Sequence, residues 1–338
     1  MPTTSTRGRI TGLLPAIGLV ALAIVVAACT ASTSTATSPA TVGSPAQGAG
    51  TTAAPPAADP ATALPAFRLT ATEHHDGGAT TYGYEGPTAV PAGPTVIELV
   101  NDGAEEHQAG VGRLKPGVTY DKVEETVAAA GPELAFGLLE ALGGPAGVAP
   151  GTTGRTIVDL PPGQYYVYCF VPDAQGVPHL SHGMRQRFEV TGSATAGTTG
   201  TAAPAPVPSA GTIDLQDFGI ILPDGFAGRG WYRVDNAGPQ QHEAVIYRAT
   251  PGHTGKDLDA YLAAAGAAQQ GGTAMPTEPF PGVAAGGVSA AVQGVTQWVW
   301  LDLDPSGQYV FLCGIPDPLK GFVPHFMEGM KTTWPTAT

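Results

Sequence analysis

Cysteine is scarce in this chain: three residues in 338, Cys29, Cys169 and Cys313. Exported proteins normally pair their cysteines. Cys169 and Cys313 stand too far apart in sequence to serve one local loop, which leaves two uses open: a single bridge between them, or a separate metal thiolate at each. Charge is scarce as well. Charged side chains are 13% of the total, 28 acidic against 15 basic, for a formal net charge of −13. Nucleic-acid binding needs a basic face, so that class of partner is excluded, while an acidic surface steers encounters with basic partners. Aromatics are 7%, against 47 glycines and 33 prolines, a composition of strands and loops with little room for long surface helices. No phosphate-cradling glycine loop and no serine–histidine triad is visible.

At the N-terminus Arg7 and Arg9 precede an apolar run from Ile10 to Ala28 that ends Val26-Ala27-Ala28-Cys29. A basic start, a short apolar core and small residues before the cut describe a secretory signal over residues 1–28. The cysteine directly after them makes it resemble a bacterial lipoprotein signal. That resemblance implies that Cys29 is lipidated and that the protein is exported and held on the extracellular face of the cell membrane. Residues 29–65 are Thr, Ser, Ala, Pro and Gly with almost no charge, too polar and too small to offset chain entropy by burial, and they read as a disordered tether. Residues 192–211 have the same character and read as a linker. Two folded units are therefore expected, 66–191 and 212–334, each with one cysteine and neither able to close an internal disulfide.

The two units repeat one plan. A strand runs into Asn101, six residues before His107; another runs into Asn236, six before His242. Helical patches follow, with Val123 and Val127 on one face of the first and Leu258 and Leu262 on one face of the second. After a glycine-rich loop come strands at 155–160 and 296–303. Then Gly163-Gln164-Tyr165 leads to Cys169 as Gly307-Gln308-Tyr309 leads to Cys313. Val177-Pro178-His179 matches Val323-Pro324-His325, and Met184 and Met330 each lie five residues past their histidine. The second copy has two extra residues between cysteine and histidine. A duplication that keeps the same polar and sulfur positions while its loops drift is stronger evidence than either copy alone.

This order of residues resembles the cupredoxin family, in which one histidine follows an early strand and a Gly-x-Tyr strand leads into a loop bearing Cys, His and Met. The long Cys-to-His gaps and the Val-Pro, His, Gly-Met pattern are similar to the type 1 site of copper nitrite reductases. The resemblance implies an all-β chain of two tandem Greek-key barrels or sandwiches, each with a short inserted helix. It implies one type 1 copper per domain, held by His107, Cys169, His179 and Met184 in the first and by His242, Cys313, His325 and Met330 in the second. Two imidazoles and a thiolate with a weak axial thioether accept both copper oxidation states. Two-domain copper enzymes of this kind also carry a histidine beside the type 1 cysteine. Here the neighbours are Tyr168 and Phe170, then Leu312 and Gly314, and there is no His-x-His; no enzyme is expected. The expected function is single-electron transfer between a membrane electron-transfer complex and a soluble redox partner protein. Copper delivery without redox cycling and a metal-free interaction module are the alternatives. His74-His75-Asp76 and His253 read as exposed loop residues, and Phe170, Phe322 and Phe326 as aromatics at the barrel ends. In the first ligand loop His182 matches Glu328 of the repeat, so it is expected to bond locally or face solvent.

Overall fold

The computed structural model describes residues 59–77, 79–192, 205–271 and 274–335. The signal, Cys29 and the tether as far as residue 58 lie outside the described residues. The first copy forms β1 (Ala66–Asp76), β2 (Ala79–Glu85), β3 (Ala89–Pro91), β4 (Gly93–Asn101), β5 (Gly110–Leu114), α1 (Tyr120–Ala130), α2 (Pro132–Phe136), β6 (Leu139–Gly143), β7 (Thr153–Leu160), β8 (Gly163–Tyr168) and β9 (Arg185–Thr191). The second forms β10 (Thr212–Gln216), β11 (Gly219–Ile221), β12 (Arg229–Asn236), β13 (His242–Ala249), α3 (Gly255–Gln269), β14 (Gly282–Ala291), β15 (Thr296–Asp302), β16 (Tyr309–Leu312), β17 (Pro316–Asp317), β18 (Val323–Pro324) and β19 (Lys331–Trp334). The fold is all-β, with helices α1 and α2 inserted in the first copy and α3 in the second. Among the described residues no helix is long and apolar enough to cross a membrane.

Helices α1 and α3 start where side chains supply the missing partners of the first turn. Thr119 accepts from the Lys122 amide, and Thr254 and Asp257 form a reciprocal capping box. Their inward residues, Val123 in one and Leu258 with Leu262 in the other, are buried against the sheet. The repeated Gly-Gln-Tyr has a specific job. The hydroxyls of Tyr165 and Tyr309 donate back to the carbonyls of Pro161 and Asp304. That pins the turn into the cysteine-bearing strand, in the manner of a tyrosine corner.

Each copy has its own apolar core, one around Phe67, Leu69, Ile97, Leu99 and Phe188, the other around Leu215, Tyr232, Ile246, Leu301 and Phe311. Fully burying such a side chain contributes roughly 1.5–3 kcal/mol. The two copies nevertheless share their sheets. One sheet runs β11-β10-β12-β15-β7-β4-β1-β2 and the other β19-β16-β13-β14-β6-β5-β8-β9-β3. Both orders read as near palindromes of equivalent strands, so the repeats face each other across an internal pseudo-twofold. On one sheet β15 pairs antiparallel with β7 (Trp298 opposite Ile157); on the other Ala291 of β14 pairs with Leu142 of β6.

That seam explains the glycine-rich segments. Their composition predicts loops, yet they form β6 and β14, because small residues let two backbones approach closely. Amides of Ala146, Gly286 and Ser289 donate to carbonyls of Gly287, Gly147 and Gly144 across the junction. Three further features differ from expectation. His74, His75 and Asp76 end strand β1 rather than sitting in a loop, still exposed. Residues 60–63 of the expected tether form a short 3-10 turn capped by Asp59, whose other oxygen pairs with Arg155 and which accepts from the Trp231 indole at 3.1 Å. Near the end of the linker, Val207 is buried with Trp231 and Trp298. These chain segments are ordered because the seam offers them an indole-lined apolar surface.

Candidate metal centres

Asn101 and Asn236 are buried, which explains their fixed distance to the histidines. Asn101 donates to the carbonyls of Glu105 (2.7 Å) and Val148 (2.8 Å); Asn236 donates to those of Gln240 and Ala291 (both 2.8 Å). Each amide therefore ties the loop carrying the histidine to the neighbouring strand or loop. Two residues on, glycine is required by space. A Cβ at Gly103 would stand 2.4 Å from Glu73 Oε1 and 2.8 Å from His107 Nε2, and one at Gly238 would stand 2.5 Å from Asp217 Oδ1 and 2.6 Å from His242 Nε2.

The ligand loops are held alike in both copies. The Cys169 amide donates to Met184 and the Met184 amide to His179; the Cys313 amide donates to Met330 and the Met330 amide to His325. A 3-10 turn from each histidine (His179–His182, His325–Glu328) ends at a left-handed glycine before the methionine, which sets the five-residue spacing. Asp173 and Asp317 accept amide hydrogens of the intervening stretch. The two extra residues of the second loop are absorbed in the turn Pro318–Lys320 without moving the ligand positions.

The topology thus brings six of the eight expected donors into two triads, His107–Cys169–His179 and His242–Cys313–His325. In the first, the two Nδ1 atoms are 3.1 Å apart, with Cys169 Sγ 4.0 and 3.6 Å from them. In the second the separations are 3.2, 4.0 and 3.4 Å. Met184 and Met330 are fully buried in the cores that contain Cys169 and Cys313. Cys169 and Cys313 are free thiols, each buried in its own triad, so no bridge joins the copies. Among the described residues the remaining acidic–histidine cluster, Asp317–His325–Glu328, shares His325 with the second triad.

Two polar residues behind the histidines complete each site, four in all. His107 Nε2 lies 3.0 Å from Glu73 and His179 Nε2 3.1 Å from Glu105; His242 Nε2 lies 2.5 Å from Asp217 and His325 Nε2 3.0 Å from Gln240. Each acceptor fixes the hydrogen on Nε2 and leaves the Nδ1 lone pair facing the thiol. Burial pulls His107 and His242 below the usual imidazole range despite their carboxylate partners, and burial with the neighbouring His242 takes His325 to about 4. Burial alone would raise Glu73, but hydrogen bonds from His107 and from the Glu105 and Ala104 amides take it down to about 2. Burial pushes the Cys169 thiol up to about 12 and raises Cys313 as well, against amide donors from Gln108 and Val171, and from Glu243 and Ile315. A cation entering either triad displaces that thiol proton. Sequence reasoning missed all four. Repeat alignment carries a signal for Glu105 and Gln240, which occupy matching positions two residues before the histidines. Glu73 and Asp217 carry no such signal, since they stand 34 and 25 residues before their histidines, within β1 and just past β10.

His182 shares a hydrogen bond with Asp173 at 2.9 Å and is partly exposed, outside the triad. With the second site silenced by Cys313→Ser, His182→Ala should leave the thiolate charge-transfer band of a copper-loaded sample in place. His179→Ala should abolish or grossly shift it. The opposite pattern in absorption spectra would mean that the repeat misassigns the loop ligand. Of the aromatics, Phe326 is buried beside the inserted helix of the second copy, Phe170 packs in the corresponding cluster of the first, and Phe322 is exposed.

No family model and no curated protein matches the sequence. Among solved structures it is similar to a dithionite-reduced auracyanin from Roseiflexus castenholzii (19% identity, 38% of this chain and 97% of that one, TM-score 0.24). It is also similar to auracyanin A, a blue copper protein from Chloroflexus aurantiacus (16% identity, 37% and 98%, TM-score 0.24), and to the McoA multicopper oxidase of Aquifex aeolicus (16% identity, 38% and 30%, TM-score 0.22).

Proposed function

We propose that this protein is a surface-anchored copper protein that passes single electrons through two type 1 sites, His107–Cys169–His179–Met184 and His242–Cys313–His325–Met330. The observation that carries the reading is the duplicated, fully buried set of two Nδ1 atoms and one thiol, with each Nε2 already engaged and a buried methionine in the core that holds each thiol. A soft thiolate with two imidazoles suits copper, and no carboxylate lies among the inward donors. Copper bound there would supply reversible exchange of one electron. The chain's own contribution is rigidity: the buried asparagines, the engaged Nε2 atoms and the shared loop hydrogen bonds hold the donors in place, so little rearranges when the charge of the site changes. The absence of histidine beside either cysteine supports a carrier and not an oxidase. Complete burial of the donors suits a retained metal better than one handed over. Reversible voltammetric cycling at a stable potential, with copper retained, is the expected result; loss of metal on reduction would overturn the electron-transfer reading in favour of delivery.

The lipoprotein-like signal and the tether support placement outside the membrane through lipid on Cys29, in reach of a membrane electron-transfer complex and a redox partner protein. Cys29→Ser should move the protein from the membrane fraction to the medium or stall its processing. Normal processing and retention of that variant, read by fractionation and mass spectrometry, would remove the anchor from the proposal.

A further inference from the structure

The two triads are near copies, which makes any difference in their surroundings informative. The thiols are matched: each receives amide donors from the residue after the first histidine and from the second residue after the cysteine (Gln108 and Val171; Glu243 and Ile315). The first histidines are matched, since Glu73 and Asp217 are both carboxylates. The acids next to those histidines balance as well: Glu106 precedes His107 where the repeat has Gln241, and Glu243 follows His242 where the repeat has Gln108. Around the loops, Asp173 and Asp317 correspond. The extra Lys320 of the second loop pairs with Glu328, which stands where the first loop has His182 bonded to Asp173.

One charge is left unmatched. His179 Nε2 is held by the Glu105 carboxylate at 3.1 Å, and that carboxylate also accepts from Tyr82 at 3.1 Å, while the Tyr82 ring stacks on His179 at a centroid distance of 3.9 Å. His325 Nε2 is held by the Gln240 carboxamide, and Phe218 meets that ring edge-on at 5.1 Å with no hydroxyl to offer. A carboxylate behind an imidazole makes its other nitrogen a stronger donor and adds negative charge near the metal, which favours the more highly charged ion. A carboxamide fixes the same tautomer without the charge.

We propose that Glu105 and Gln240 are positioning residues that make the two sites unequal. The first half holds the oxidised ion more strongly, so that a single electron on the protein rests in the second half while the first stays oxidised. The proposal rests on the copper reading above.

The test is a mediated redox titration of the charge-transfer band in copper-loaded full-length protein, with Cys313→Ser reporting the first site alone and Cys169→Ser the second. The first site should favour the oxidised form about tenfold more than the second, a gap of about 59 mV for a one-electron couple. Glu105→Gln should close most of that gap by raising the first site, and Gln240→Glu should lower the second by a similar factor, both with the band retained. Equal potentials in the two parent proteins, or neither exchange moving its midpoint while the band persists, would overturn the inference and leave the copper reading standing. If Glu105→Gln loses its band through misfolding, the shift or constancy of Gln240→Glu decides alone. If no protein in the series develops the band, the copper reading itself fails and the inference with it.

Discussion

Cys169→Ser should remove about half of the thiolate-to-copper absorption of a fully loaded sample, Cys313→Ser the other half, and the double change all of it, because each triad contains one sulfur able to become a thiolate. The side chains are close in size and both positions are fully buried, so the substitution keeps the packing of the strand end while removing the soft ligand. A serine hydroxyl has no accessible anionic form at neutral pH. The imidazole Nδ1 atoms that face each sulfur at 3.4–4.0 Å remain to accept its hydrogen bond, which holds the burial cost below the roughly 1–3 kcal/mol of an unpartnered hydroxyl. Copper content by elemental analysis should fall with the band. Full intensity retained in either single variant would show that its triad never contributed, and the lack of any titratable thiol in denatured, unreduced, metal-free protein would contradict the two free cysteines.

Gly144→Ala should destabilise the whole protein by roughly 2–4 kcal/mol and dim both bands together on heating. Gly144 adopts φ +116°, and a Cβ there would stand 2.1 Å from the Ala109 carbonyl oxygen. Backbone, unlike a flexible side-chain tip, has no cheap way to yield. The residue sits where the end of β5 and strand β6 meet β14 of the other copy, and its own carbonyl accepts from the Ser289 amide at 2.7 Å. Displacing it disturbs the shared sheet, so its effect belongs to both halves. Calorimetry should show one cooperative transition for the parent protein and one, shifted down by about 2–4 °C per kcal/mol, for the variant. Two separate transitions, with only the first site's band lost in the variant, would mean that the halves unfold independently despite the continuous sheets.

The sites and the seam are unequally legible in the sequence. The duplicated order of Asn, His, Gly-x-Tyr, Cys, Pro-His and Met points to both candidate sites, because each of those residues has a local backbone reason for its place: the asparagine braces a loop, the tyrosine pins a turn, and the 3-10 turn with its glycine fixes the distance from histidine to methionine. Glu73 and Asp217 are hidden, since nothing in sequence links a carboxylate in or just past the first strand of a copy to a histidine 34 or 25 residues later. The seam is hidden for a different reason. Glycine-rich stretches read as loops when only local propensity is considered, and the backbone-to-backbone approach that makes them strands is visible only when both copies are in place.

By itself, then, the sequence determined that this is an acidic, two-copy, strand-rich chain with one cysteine in each copy and a matched histidine and methionine set around it, because composition and repeat spacing act locally along the chain. Tertiary structure decided the rest: that the copies share two continuous sheets, that the imidazoles turn Nδ1 inward, and that a carboxylate backs the loop histidine in one site and a carboxamide in the other. Those outcomes depend on contacts between distant residues, such as Gly144 and Gln297, 153 positions apart. Long-range pairing of that kind is set by which surfaces meet when the sheets close, not by any pattern that neighbouring residues can display.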